Sequence, residues 1–282
     1  MTGARRRARR STETRNLPKG LAFLSPWIIG FCVFTITPIV LSLYWSFCRY
    51  SLLKPARFHG LANYRQIIHD GDFWLSLRNT LYYASMALPA GMIVSLSLAL
   101  LLNQKIRGQG IYRTLLYLPS LVPAAASALL WLWIFNARYG LLNEFLNLIG
   151  IAGPGWLTNA HWAMPSLALM SIWSTGNTVV IYLAGLQSVP TELYESAEID
   201  GANAWHRLWH VTIPMISPVI FFNLIMAIIG TFNVFVLPYM MTAGGPAHST
   251  YFYAMYLFDN AFVFLKITPD FFAFALHVVV AV

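Results

Sequence analysis

Apolar residues in this chain gather in long runs separated by polar connections. Five runs reach or exceed the roughly 20 residues a helix needs to cross about 30 Å of hydrocarbon: 21–47, 76–102, 114–135, 162–186 and 214–238. A sixth begins near 264 and runs to Val282. The pattern predicts an all-α polytopic membrane protein of about six transmembrane helices. Composition agrees. Of the 282 residues, 58% are hydrophobic and 10% charged, whereas a soluble domain carries about 25% charged residues. Too few ions remain to cover a surface in water, so lipid is the expected solvent. The division that follows is a basic tail over 1–20 and a transmembrane domain over 21–282.

The net charge of +8 changes the picture only through its placement. Arg5, Arg6, Arg7, Arg9 and Arg10 precede the first apolar run. That is the positive-inside signal, and it predicts a cytoplasmic N-terminus, not a nucleic-acid arm. The run 21–47 is too long for a signal-peptide core and has no small-residue cleavage site, so it reads as a retained helix. Alternation then puts 103–113 and 187–213 inside, and 48–75, 136–161 and 239–263 outside. Cys32 and Cys48 are expected on the first helix, about 24 Å apart, and so cannot pair. Pro26, Pro38, Pro89, Pro119, Pro123 and Pro238 interrupt or edge the runs. Broken backbone in a membrane must be buried in protein or line a cavity, so a bundle with a water-accessible interior is expected.

The inner connection 187–213 holds the most specific pattern. Pro190-Thr191-Glu192 reads as a helix start, with Thr191 able to cap and Glu192 matched to the helix dipole. Gly201 supplies a left-handed end, Asp200 is placed to cap a second helix near Ala202, and Pro214 to open the next span. A helix–turn–helix on the cytoplasmic face is predicted. On periodicity alone, it is an ordinary amphipathic surface helix.

Spacing adds more. Glu195-Ser196-Ala197, three residues, Gly201, nine residues, then Val211-Thr212-Ile213-Pro214 resembles the E-A-A…G…I-x-L-P signature of ABC importer permeases, with Ser196 and Val211 as small departures. Phe58-His59-Gly60-Leu61-Ala62-Asn63-Tyr64, Arg78-Asn79-Thr80, Gly108-Gln109-Gly110, Tyr112-Arg113-Thr114, Tyr139-Gly140-Leu141-Leu142-Asn143 and Gly244-Gly245-Pro246 resemble carbohydrate-uptake permeases of the maltose, multiple-sugar and glycerol-3-phosphate type, first of the two paired subunits. The resemblance implies a type I permease fold in a bacterial plasma membrane. It also implies a second permease, two ATPase subunits carrying ATP and Mg, and an extracytoplasmic solute-binding protein. Its docking residues fall on Glu195, Ser196, Ala197, Asp200, Gly201, Ala202 and Pro214. Small residues keep the backbone thin there, and Leu193, Tyr194 and Trp205 give apolar grip.

Other chemistry is sparse. His206 and His210 have helical i, i+4 spacing but no third ligand, so no metal is expected. No G-x-x-x-x-G-K-[ST] loop and no Gly-x-Ser-x-Gly elbow occurs, and no enzyme activity or resident cofactor is expected. The spans lack buried Asp, Glu or Lys, which weakens a proton-coupled secondary transporter, the reading of another class. Solute contact then falls to neutral groups: Ser120, Trp173, Asn177, Tyr182, Thr231 and Asn233. These suit sugar hydroxyls, though each is equally at home bonding a neighbouring helix. Ser120, Thr231 and Asn233 gain weight from the resemblance. A polyol phosphate or glycerophosphodiester is the alternative solute. Near the end, Ile267-Thr268-Pro269-Asp270 departs from the family pattern. About 13 residues after Pro269 span only about 20 Å as helix. An incomplete or tilted helix, a truncation and a shifted frame all fit.

Overall fold

The computed structural model describes residues 19–51, 54–104 and 107–264. The basic tail and nearly all of the run 264–282, with its departure from the family pattern, lie outside the described residues. The described residues divide into two compact units, one within 19–69 and the other over 70–263.

In the first unit, helix α1 spans Lys19–Ser46. Its turn Cys32–Ile36 is a wide, π-type one, and the Thr37 N–H reaches back to the Cys32 carbonyl. The cause is Pro38, whose ring would crowd the carbonyl four residues back in a regular helix. The chain then forms a hairpin that the apolar pattern does not predict. β1 (Cys48–Ser51) and β2 (Lys54–Phe58) pair antiparallel, with Cys48 opposite Phe58 and Arg49 opposite Arg57. Cys48 is therefore on a strand and not on the first helix as expected. Helix α2 (Ala62–Ile68) follows. The Phe58–Tyr64 motif closes this corner. Asn63 Nδ2 donates to the Ser46 and Cys48 carbonyls at 2.8 and 3.0 Å, and Tyr64 hydrogen-bonds the Ser46 hydroxyl at 2.8 Å.

In the second unit, α3 spans Gly71–Leu102, with Asp70 accepting the Asp72 N–H at its N-terminus. It starts ahead of the predicted residue 76, at the point where the Asp70 cap sets its first turn. The predicted run 114–135 is not one helix. It divides into α4 (Gln109–Leu121) and α5 (Ala124–Ile134), bent by 97°. Pro123 has no N–H and forces Val122 into extended backbone at ψ 127°, the restriction that any residue before proline meets. Helix α6 covers Leu141–Leu148.

The run 162–186 is likewise two helices, α7 (Ala160–Trp173) and α8 (Gly176–Gln187), bent by 51°. Here the break is closed locally: the Ser174 and Thr175 hydroxyls donate to the Ser171 and Ile172 carbonyls. Gly176 sits against the backbone of Leu116 and Tyr117, so a Cβ there would collide with α4. Helix α9 spans Thr191–Ile199, α10 Ala204–Phe232, α11 Val236–Thr242 and α12 Tyr253–Phe258. The predicted run 214–238 thus begins earlier and stops at Phe232, where Asn233 terminates it. Among the described residues three helices are long and apolar enough to span, or five if each bent pair is one span.

The core of this unit lies where α3, α8 and α10 meet. Ala99 and Leu102 pack with Val179, Tyr182, Leu183, Leu186, Val189 and Ile216. At the other end of α3, the Arg78-Asn79-Thr80 motif holds the loop before α12. Asn79 Nδ2 donates to the His248 and Tyr251 carbonyls at 2.8 and 3.2 Å, and Thr80 Oγ1 accepts the Tyr253 N–H at 2.9 Å. Tyr256 donates to Asp70 Oδ2 at 2.9 Å. Burial raises the pKa of the Tyr251 phenol, as do its hydrogen bond to Asp259 and the carboxylates of Asp259, Asp72 and Asp70. An Asn79→Ala change strands the Tyr251 carbonyl, leaves the His248 carbonyl only its bond from the Tyr251 N–H, and should cost about 1–3 kcal/mol. A lowered thermal midpoint in detergent would show it, and an unchanged midpoint would remove Asn79 as a staple.

Candidate functional site

The segment Glu195–Pro214 does form a helix–turn–helix, with two changes of detail. Thr191 is the first residue of α9 and Pro190 precedes it without a side-chain cap. Gly201 adopts φ +81°, and the Ala202 N–H closes the turn on the Ala197 carbonyl at 2.8 Å. Only glycine takes that conformation without strain. Asp200 does not cap the second helix. Asn203 does, its Oδ1 accepting the His206 N–H at 2.9 Å. Pro214 does not open a helix either, because α10 begins at Ala204 and runs through it. The wide turn Leu208–Thr212 just ahead of Pro214 makes this continuity possible, as in α1.

Glu195, Ser196, Asp200, Gly201 and Pro214 are exposed, and Ala197 and Ala202 half-buried. Glu198 pairs with Arg207 across the turn. Leu193 and Trp205 are exposed and available as apolar grip, but Tyr194 is half-buried, with its hydroxyl 3.0 Å from Thr212 Oγ1. His206 and His210 stack at 5.8 Å, and no cluster of three metal-ligating side chains occurs among the described residues.

A cavity of about 520 Å³ lies between α3, α8 and α10, lined in part by Asn177, Thr178, Asn223 and Thr231. Asn223 Nδ2 and the Thr231 hydroxyl donate to carbonyls four residues back, at 3.0 and 2.9 Å. The Thr231 donor is thereby spent, whereas Asn223 keeps a second amide N–H, and the oxygen acceptors of both remain. Among the described residues, no Lys, Arg, His, Asp or Glu lines the cavity. Ser120 and Trp173 line a second, smaller cavity of about 270 Å³, and Ser174 belongs to the walls of both.

Two of the predicted residues fall elsewhere. Tyr182 is 1% exposed inside the core, and Asn233 bonds the Ile229 carbonyl at the end of α10, in neither wall. Sequence reasoning missed Ser171, Thr175, Thr178 and Asn223. Their signal was a polar stripe at helical spacing (171, 174, 175, 178) within an apolar run.

Residues 87–282 match the family described as binding-protein-dependent transport system inner membrane component. The chain belongs to this family of permeases. The permease is 38% identical to a probable ABC transporter permease, YesP of Bacillus subtilis, over 91% of this chain and 84% of that one. It is 35% identical to the sulfoquinovosyl glycerol transport system permease SmoG of Agrobacterium fabrum, over 86% and 80%. Its fold resembles a chain of a bacterial alginate ABC transporter solved with an alginate pentasaccharide-bound periplasmic protein. The TM-score is 0.80 at 25% identity, over 96% and 92% of the two chains. It is thus a membrane-embedded permease subunit of an ATP-binding-cassette importer.

Water access separates the cavity residues from the core. In a permease carrying Cys32→Ala and Cys48→Ala, Asn177→Cys and Thr231→Cys should react with a small charged thiol reagent about tenfold faster than Tyr182→Cys. Equal rates would mean that the cavity is dry or closed.

Proposed function

We propose that this permease forms half of the translocation pathway for a neutral sugar or sugar-like solute, with its N-terminus in the cytoplasm. A second permease supplies the other half, two ATPase subunits carry ATP and Mg, and an extracytoplasmic binding protein delivers the solute. The carrying observation is the lining of the larger cavity: hydroxyls and amides beside Tyr83 and Phe222, without an ion. Directional acceptors next to aromatic faces suit a polyhydroxylated solute. A polyol phosphate would call for cations, and among the described residues none lines this cavity. The solute names of the relatives, sulfoquinovosyl glycerol and the acidic polysaccharide alginate, support a sugar-type solute, while its neutrality rests on the cavity lining alone.

Glu195, Ser196, Ala197, Asp200, Gly201 and Ala202 form the contact with the ATPase, and Pro214 lies where that element joins α10. The exposed carboxylates and thin backbone of the turn fit a cleft lined by donors. Asn177 and Thr231 bind solute, with Thr178 and Asn223 added to them. Ser120 and Trp173 belong to an adjoining part of the route, whereas Tyr182 and Asn233 are structural.

The test is ATP-driven uptake of a panel of labelled neutral mono- and disaccharides into vesicles holding the assembled complex. Asn177→Leu and Thr231→Val should raise the transport KM about five- to tenfold, the worth of one hydrogen bond, and Asn233→Ala should leave it unchanged. Gly201→Leu should insert and assemble yet abolish uptake. Uptake that persists without ATP under a pH gradient would overturn the proposal.

A further inference from the structure

If α9 is where the ATPase pushes, the push needs a physical route into the membrane helices. Most of α9 is exposed and touches nothing that could carry force. Two side-chain links join it to α10. One is the Glu198–Arg207 pair, but Glu198 is 61% exposed, and water screens such a pair. The other is the hydrogen bond from Tyr194 to Thr212, 3.0 Å long and shielded, with Thr212 only 5% exposed.

The surroundings of this second link set it apart. The Tyr194 ring packs against the cluster in which Ala99 and Leu102 of α3, Leu183 and Leu186 of α8, and Ile216 of α10 converge. Thr212 ends the wide turn Leu208–Thr212, and its Oγ1 also lies 3.3 Å from the Arg207 carbonyl five residues back. With the Thr212 proton directed to that carbonyl, its oxygen accepts from the Tyr194 phenol. A wide turn leaves the inner end of a helix able to yield without breaking, and such turns recur at functional sites. Beyond it, α10 continues as one helix, with Pro218 inside it, to Asn223 and Thr231, about 16 and 28 Å along the helix.

Resting on the transporter reading above, we infer that Tyr194 is a positioning residue for transport. Its hydrogen bond to Thr212 passes the displacement of α9 to α10, and so to the solute cavity, with Leu208–Thr212 as the segment that yields. Tyr194 thus acts inward, and is not part of the grip on the ATPase.

The test uses the complete complex in nanodiscs, trapped with Mg-ATP and vanadate, and needs no solute. Two responses to trapping are read: amide hydrogen exchange over 191–199 and 207–213, and labelling of Thr231→Cys by the small charged thiol reagent. In the otherwise unaltered complex, trapping should change exchange in both segments and change the labelling rate. Tyr194→Phe keeps the ring in its packing and removes only the hydroxyl. It should leave the response of 191–199 intact, while the response of 207–213 and of the labelling rate falls about fivefold, the worth of one hydrogen bond. Thr212→Val should do the same, the double variant should be no worse than either, and Thr212→Ser should restore the response. Equal responses in Tyr194→Phe and the parent, or additive losses in the double variant, would overturn the link. A parent complex that does not respond to trapping would overturn the transporter reading, and the inference with it.

Discussion

A peptide group inside a membrane has no water to bond, so every interruption of a helix must be closed by the protein itself. Most of the second unit can be read as answers to that demand. The 51° bend between α7 and α8 leaves carbonyls free, and the Ser171, Ser174 and Thr175 hydroxyls return to them. The 97° bend between α4 and α5 occurs where Pro123 has no N–H to lose. Proline inside α1 and α10 is met differently, by a wide turn just before it that shifts the bonding by one residue. Each remedy is local, which is why these helices can bend without a large polar core.

The same demand shapes the cavity. Asn223 spends one of its two amide donors, and Thr231 its hydroxyl proton, on their own helix. Such back-bonding satisfies the hydroxyl even when nothing else is bound, and leaves one Asn223 N–H for water or a ligand. The acceptors that remain face a solute rich in hydroxyl donors. A charged lining would have bound anions or cations more strongly, yet it would have carried a desolvation cost in every unloaded state. Neutral groups suit a pathway that must bind weakly enough to release.

The presence of long apolar helices and the position of Gly201 were legible in the sequence, because each depends on local chemistry: apolar length and a left-handed backbone. The hairpin Cys48–Phe58 was not legible. Arg49, Lys54 and Arg57 hide any alternation there, and the staple from Asn63 that fixes the corner acts from fifteen residues away. Bends at 122–123 and 174–175 were marked by proline and by a Ser-Thr pair, but apolar runs continue across both, so length alone joined what geometry divides. Asp200 and Asn203 illustrate a finer limit. Both are good caps by type, and only the path of the turn after Gly201 decides that Asn203 meets the first free N–H. Among the solute candidates on α8, Asn177 reaches the cavity beside Thr178, whereas Tyr182, one turn beyond Thr178 on the same face, is buried in the core against α3. Helical spacing alone therefore does not separate cavity wall from core here.

The continuity of α10 through Pro214 has the widest consequence. Had the proline opened a separate helix, the docking turn would hang from the bundle by a flexible joint, and motion there could dissipate in the loop. A helix that runs from Ala204 to Phe232 instead joins the end of the proposed docking turn to the cavity wall through one element. Such an element would also transmit thermal jostling of the exposed turn, which the buried Tyr194–Thr212 contact and the core around Ile216 resist. The wide turn Leu208–Thr212, between the exposed turn and that core, lies at the place where a helix held by its core has to give when it is pushed from one end.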